Sequence, residues 1–523
     1  MRANLNQAAP VDPSLVPQVD GNRTVVADYI LLESLRDEVS KCLRDLLKEE
    51  EGFQAQSWRD WADSALAASA GIMHRFSRLM QAWTPTVIHR NDVITAAPQA
   101  LLQDQFDMYS SLWRPSDEPM DVWVPDRDSF PLATPDQIRV ASLSFPVTTS
   151  QSVDGFHPRH FSLLSNAALD AIALILQASE MLGAFPQQTM FMVFPLIGKP
   201  KGGFRPILLC PGIVRVWQRL RRPLAYDFLR ESERPYWGTG PGRSTELIVW
   251  RQAAAAEAAV SRGEVAGGFL WDAQKFYENF RLDLLRDRAL AAGVPPVLVK
   301  ISYNLWRSPR LMRMGSTFAS EVCYATRGLP AGDIFNDVFV RAYCIQAYDG
   351  FTIRHPRVSL CSYVDDEGVM AEGSIRDVTR NLKAAALDLH RVMTDQLHVG
   401  LAAEKMATVG SSRKAFLSIR DALGPLAGDA GYSACNLGVD FAPGAARASA
   451  WGGEKRISRF AAARQRCKKL HRIRRWLPRG RQRMNKIFLT GAKPAMVYGA
   501  AVLGMTDAEL RRVRGLMIAP MTP

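Results

Sequence analysis

Two adjacent carboxylates, Asp365 and Asp366, interrupt an otherwise apolar stretch, and that interruption constrains the fold more than any other feature of the chain. Residues 357–364 (Arg-Val-Ser-Leu-Cys-Ser-Tyr-Val) read as a buried strand and Gly368–Ala371 as a return strand, which puts both acids at a hairpin turn. Like charges side by side repel, so a counter-cation is the natural reason to place them there. For an isolated Asp-Asp pair, a solvated surface turn is the ordinary alternative. What decides is whether other segments supply matching parts.

At 523 residues the chain has room for roughly two to four domains and a substantial core. No apolar run approaches the roughly 20 residues that a membrane span needs. Met1 to Arg23 is polar and has no signal-peptide core. The expectation is a nuclear or cytoplasmic protein, neither secreted nor membrane-spanning. Seven scattered cysteines without a Cys-x-x-Cys pair point to neither a disulfide framework nor a zinc site. A formal charge of +13 favours a polyanionic partner, although charge alone does not separate nucleic acid from acidic protein or lipid headgroups.

Apolar residues at three- and four-residue spacing predict a helical N-terminal extension over 1–113. A proline-containing linker follows over 114–137, then an α/β region over 138–425 and a basic, helical C-terminal region over 426–523. Between Lys455 and Lys486 there are fourteen Lys or Arg and no acid. Ile457, Phe460, Ala463, Cys467 and Leu470 form one stripe expected to pack inward. Arg456, Arg459, Arg464, Arg466, Lys468, Lys469, Arg472 and Arg474 are expected on the other faces. A single-sign helix face repels itself, and phosphates would relieve it, so Arg464, Lys468, Lys469, Arg472 and Arg475 are candidate nucleic-acid contacts.

Four further segments bear on the acid pair. In Gly267–Glu278 an apolar strand ends at Asp272, an acid that reaches Asp365 and Asp366 if the strands are neighbours. Three carboxylates meeting there could hold two divalent metals about 3.5–4 Å apart. Arg327-Gly-Leu-Pro-Ala-Gly-Asp333 is a tight loop at a helix start, with Asp333 as its ordinary cap. Phe194–Ile207 reads as two strands around a Lys/Gly-rich turn, offering Lys199, Lys201 and Arg205 to a triphosphate. Lys405, after the amphipathic stretch Val378–Leu397, could donate a proton to a departing pyrophosphate. Each is weak evidence alone.

In order and spacing these blocks resemble the reverse transcriptase family. The cationic hairpin (Lys199, Lys201, Arg205-Pro206-Ile207) comes first. Asp-x-x-Lys-x-aromatic at Asp272–Tyr277, Gly-Leu-Pro-x-Gly-Asp at Gly328–Asp333, Tyr-Val-Asp-Asp at Tyr363–Asp366 and Lys405 follow. Asn436-Leu-Gly-Val439 is similar to the family's primer-grip strands. The resemblance covers about residues 140–440, and Thr148–Pro158 and Lys493–Gly499 are similar to the non-LTR retrotransposon and group II intron lineage. It implies an α+β right-hand polymerase fold: fingers, a palm of antiparallel sheet with helices on one face, and a helical thumb. It also implies two magnesium ions (manganese as the substitute) on Asp272, Asp365 and Asp366, with Lys405 completing the catalytic set. The triphosphate falls to Lys199, Lys201 and Arg205, and Ala331 and Gly332 lie in the nucleotide loop. Tyr277 matches the aromatic gate against a ribose 2′-hydroxyl. The implied partners are an RNA template, a DNA or RNA primer and dNTPs. Ala331 departs from the family's usual glutamine, which bears on nucleotide affinity or fidelity. RNA-dependent RNA polymerase and a non-catalytic RNA-binding scaffold are the competing readings.

Overall fold

The computed structural model describes residues 25–519 apart from 69–70, 79–86, 91–92, 115–128, 200–201, 241, 429–432, 445–452 and 474–484. It is a mixed α/β chain, mostly helical, with small sheets. The long helix α1 (Val25–Ala68) and α2 (Gly71–Ser77) come first, then a hairpin of β1 (Ile88–Arg90) and β2 (Val93–Thr95), and α3 (Pro98–Trp113). Next are α4 (Pro135–Leu143), α5 (Asn166–Leu182), the hairpin β3 (Met192–Gly198) and β4 (Phe204–Pro206), α6 (Gly212–Glu231) and α7 (Thr245–Ser261). Then come β5 (Val265–Asp272), α8 (Leu282–Ala291), α9 (Pro296–Trp306), β6 (Arg310–Met314), β7 (Thr317–Phe318) and α10 (Asn336–Arg354). The hairpin β8 (Ser359–Tyr363) and β9 (Asp366–Gly373) is followed by α11 (Ile375–Arg391), β10 (Ala407–Gly410) and α12 (Arg413–Leu423). A last hairpin, β11 (Ala434–Asn436) and β12 (Val439–Phe441), leads into α13 (Glu454–Ile473).

The described residues form two compact units, one from parts of Met1–Arg78, Arg466–Ala492 and Gly515–Pro523, the other from Leu79–Gln465 and Lys493–Arg514. In the first, Trp58 and Trp61 of α1 meet Phe76 of α2 edge to face, with centroids 5.2–5.4 Å apart. The second unit holds every described strand. Two local expectations from the sequence change. The helical run expected over 1–113 is broken by β1 and β2, where β-branched Ile88, Val93, Ile94 and Thr95 flank an Asn-Asp pair. Pro135, expected in the linker, instead opens α4, where Thr134 and Gln137 form a reciprocal capping box.

The acids sit on a four-stranded antiparallel sheet ordered β10-β5-β9-β8. The apolar run before Asp272 is buried at both parities, which marks a strand covered on both faces. Phe269, Trp271, Val369 and Ala371 enter the main core with α10, α11 and α12. Leu270, Met370 and Val409 pack on the opposite face against Val249 and Ala253 of α7 and against β12. Helices on one face only, as the family resemblance implied, is therefore corrected: α7 covers the second face because β5 has apolar side chains to bury on both. Close strand packing also explains Gly268, where an added Cβ would lie 2.1 Å from the Val369 carbonyl oxygen.

A second sheet, ordered β4-β3-β6-β7, carries the cationic hairpin. Strand β3 pairs antiparallel with β4 and parallel with β6. Helix α3 belongs to this body: Leu102, Phe106, Tyr109 and Trp113 are part of its main core.

Candidate active site

Strand register brings the carboxylates together. Asp272, the last residue of β5, stands opposite Asp366, the first of β9, and Tyr363 stands opposite Asp366 on the other side. Val364 and Asp365 form the two-residue turn, with Val364 at φ +63°. A β-branched residue rarely adopts that conformation, which costs about 1–3 kcal/mol and persists only where the surroundings enforce it. Here the Ala273 amide donates to the Asp365 carbonyl at 2.8 Å, which ties the turn to the end of β5. The Ala402 amide donates to the Asp272 carbonyl at 2.9 Å, bringing the Lys405 segment alongside.

Lys405 Nζ donates to Asp272 Oδ1 at 2.8 Å, and this bond raises the pKa of Lys405. Burial pushes Asp365 up, aided by the charge of Asp272. Asp366 rises further, to about 7, through burial and then the charges of Asp365 and Asp272. One lysine does not neutralise three acids. Yet with Lys405 on Asp272, no three His, Cys, Asp or Glu side chains stand in a metal-holding group among the described residues. Behind the pair, Glu367 is fully buried in the core and accepts from the Tyr348 hydroxyl at 2.6 Å and the Ser362 hydroxyl at 2.9 Å.

The other sequence candidates are placed as follows. Tyr277 is half-buried beside Phe276, and its pKa is raised by burial first, then by Asp337 and Asp365, while the charge of Arg205 opposes the rise. It therefore lies within electrostatic reach of both an acid of the turn and the hairpin. Lys199 and Arg205 are exposed on that hairpin, and Lys201 lies outside the described residues. The Ala331 carbonyl accepts from the Leu208 amide at 2.7 Å, fastening the Gly328–Asp333 loop to the chain after β4. Gly332 sits there exposed at φ +102°. Asp333 is buried and accepts from the Trp306 and Gln218 side chains and from the Phe335 amide. Asp154, in the segment similar to the non-LTR lineage, caps the start of α6 by accepting from the Gly212 amide at 2.6 Å.

A cavity of about 1000 Å³ opens beside the acids, lined among others by Asp272, Asp366, Tyr363, Lys405, Asn436 and Leu437. The turn between β11 and β12 is fixed by Gln252, which the sequence did not single out, and by Arg459, which it placed on an outer face. Asn436 Nδ2 donates to Gln252 Oε1 at 2.7 Å, and Arg459 Nη2 donates to the Gly438 carbonyl at 2.6 Å.

Ala463, Cys467 and Leu470 of the basic helix are buried as the apolar stripe requires, but its first turns and Arg466 depart from that reading. Arg456 pairs with Glu509, Arg459 holds Gly438, and Arg466 is buried, while Ile457, expected inside, is 64% exposed. Long arginine stems let the guanidinium reach carbonyl and carboxylate acceptors from an inward face. Arg464 and Lys468 are exposed, whereas Lys469 donates to the Arg78 carbonyl at 3.1 Å. Arg474, Arg475 and the side chain of Arg472 lie outside the described residues.

No protein-family model and no curated protein matches this chain. Among solved structures, apo telomerase from Candida Tropicalis, truncated from its C-terminal domain, is similar at 12% identity and a TM-score of 0.33. The alignment covers 43% of this chain and 50% of that one, so the chain spans half of the telomerase chain's length. No helix among the described residues is long and apolar enough to cross a membrane.

Proposed function

We infer that the chain is an RNA-directed DNA polymerase, a nucleotidyltransferase of the non-LTR reverse transcriptase type. The observation that carries this reading is the pairing of Asp272 with Asp366 on neighbouring strands, with Asp365 at the turn and Lys405 on Asp272. In this reading the β10-β5-β9-β8 sheet is the palm, the β3–β4 hairpin belongs to the fingers and α13 to the thumb.

Magnesium fits the donor set. Carboxylate oxygens are hard ligands, and Asp365 and Asp366 are raised by burial first and then by the neighbouring acid charges, which a bound cation would offset. Asp272, Asp365 and Asp366 would hold two ions, which when bound favour an ionised primer 3′-hydroxyl and screen the departing pyrophosphate. The chain's own groups do the rest. Lys199, Lys201 and Arg205 hold the triphosphate, and the Ala331–Gly332 loop borders the nucleotide. The ring of Tyr277 excludes a 2′-hydroxyl, and Lys405 donates a proton to pyrophosphate. Arg464 and Lys468 hold the backbone of an RNA template and its DNA or RNA primer.

The test is primer extension on an RNA template with magnesium. The parent should extend with dNTPs in preference to NTPs, and Asp365→Asn should lose at least about a thousandfold in rate, several kcal/mol of barrier. Tyr277→Ala should admit NTPs. Preference for NTPs in the parent would establish an RNA polymerase instead, and no extension by either protein would leave an RNA-binding scaffold.

A further inference from the structure

Helix α3 lies outside every motif that the reading above uses, yet it touches three segments of the proposed nucleotide site. Its Tyr109 hydroxyl donates to the Phe204 carbonyl, on the hairpin strand that carries Arg205, at 3.3 Å. Lys275 Nζ, in the segment between Asp272 and Tyr277, lies 5.6 Å from the centroid of the Tyr109 ring. The backbone carbonyl of Trp113 accepts from the amides of Thr326 and Arg327, each at 2.9 Å, at the entrance to the Gly328–Asp333 loop.

From there the contacts run on to the gate. The Gly328 amide donates to the Phe280 carbonyl and the Leu329 amide to the Tyr277 carbonyl, both at 2.8 Å. The Trp113 ring is fixed from behind. Arg310 is fully buried, and its guanidinium carbon lies 4.8 Å from the centroid of the Trp113 ring and 5.6 Å from that of Phe194. Arg310 Nη2 donates to the Gly328 carbonyl at 2.6 Å and the Trp306 carbonyl at 3.0 Å. Its Nε and Nη1 are buried without a hydrogen-bond partner among the described residues, so the two Nη2 bonds and the aromatic faces hold it in place. Gly328 is at φ +93°, and an added Cβ would come 2.7 Å from the Trp113 ring, so loop and ring are in close contact.

We propose that α3 is a positioning strut for the incoming nucleotide: Tyr109 sets the cationic hairpin, and Trp113, with Arg310, sets the loop behind Tyr277. Neither residue reaches the reacting atoms. Both fix where the triphosphate cations and the sugar gate stand relative to Asp272, Asp365 and Asp366. The proposal rests on the polymerase reading for what is positioned, and on geometry alone for the strut.

Single-nucleotide incorporation with Tyr109→Leu, Trp113→Leu and their Phe counterparts tests it. The Leu variants should raise KM for dNTP by about tenfold, the loss of one good interaction, with kcat and primer–template affinity unchanged and discrimination against NTPs weakened. Trp113→Phe keeps an aromatic face under Arg310 and should recover most of the loss, whereas Tyr109→Phe, which loses the hydroxyl bond to the Phe204 carbonyl, should keep the raised KM. A fall in kcat and template affinity parallel to KM, or an unchanged KM in folded variants, would overturn the proposal. Hydrogen exchange of the 202–205 and 326–329 amides needs no activity: compared with the parent, Tyr109→Phe should exchange faster in the first segment and the Trp113 variants in the second, the Leu variant more than the Phe. Faster exchange confined to those segments supports the strut, and unchanged exchange refutes it. A parent that does not polymerise refutes the functional reading and leaves the exchange result to decide the strut.

Discussion

Replacing Glu367 by Gln should abolish most of the stability loss that the protein shows between mildly acid and mildly alkaline pH. Burial lifts Glu367 from 4.5 to about 8, even though Tyr348 and Ser362 both donate to it. Between those values the folded chain keeps a proton that the unfolded chain has released. The stability this proton confers is complete below 4.5 and is lost as pH rises through about 8. At about 1.4 kcal/mol per pKa unit the gap corresponds to about 5 kcal/mol, a large share of a domain's net stability. Gln matches the protonated carboxyl in shape and keeps one oxygen for both donors, while its amide takes the buried, partnerless Oε2 position at a cost that does not change with pH. Urea unfolding in EDTA at about pH 5 and about pH 8.5 reads the effect directly. The parent midpoint should drop across that range and the variant midpoint should drop much less. Midpoints that fall in parallel would show that Glu367 does not titrate in the folded chain as its burial requires.

Lys405→Met should lower the rate of nucleotide addition by about 10²–10⁴-fold, the usual span for a lost proton donor; single-turnover kinetics with unchanged primer–template affinity checks it, and a change in affinity alone would reassign the lysine. Gly268→Ala should destabilise by about 1–3 kcal/mol through overpacking against the Val369 carbonyl, and a thermal midpoint equal to the parent's would mean that β5 and β9 can part without cost. Arg464→Gln and Lys468→Gln should each reduce the salt slope of template binding by about one, whereas Arg459→Gln should leave that slope alone and loosen the β11–β12 turn; equal slopes in all three would separate α13 from the template.

The hairpin at Tyr363–Asp366 was legible because strand alternation and a two-acid turn are local signals. Asp272 as its partner was legible only through the order of motifs, since register between β5 and β9 is decided by residues about a hundred positions apart. The basic helix shows the opposite failure. Hydrophobic periodicity sent Ile457 inward and Arg456, Arg459 and Arg466 outward, because it weighs side chains by polarity and ignores what a long stem reaches. The cover of α7 on the sheet's second face was written in the unbroken apolar run of β5, which alternation alone would not produce. Tyr109, Trp113 and Arg310 left no sequence signal, since a ring over a guanidinium exists only after distant segments meet.

The bond from Thr326 to the Trp113 carbonyl spans 213 positions. During synthesis α3 is made long before the loop it supports, and its aromatic face, met first by Phe194, is not fully covered until Arg310 and Gly328 arrive. Closing so large a loop is slow, and a waiting apolar face is a point of misassembly. The Gly328–Asp333 loop can therefore reach its final form only late in folding, after both ends of this region have been made.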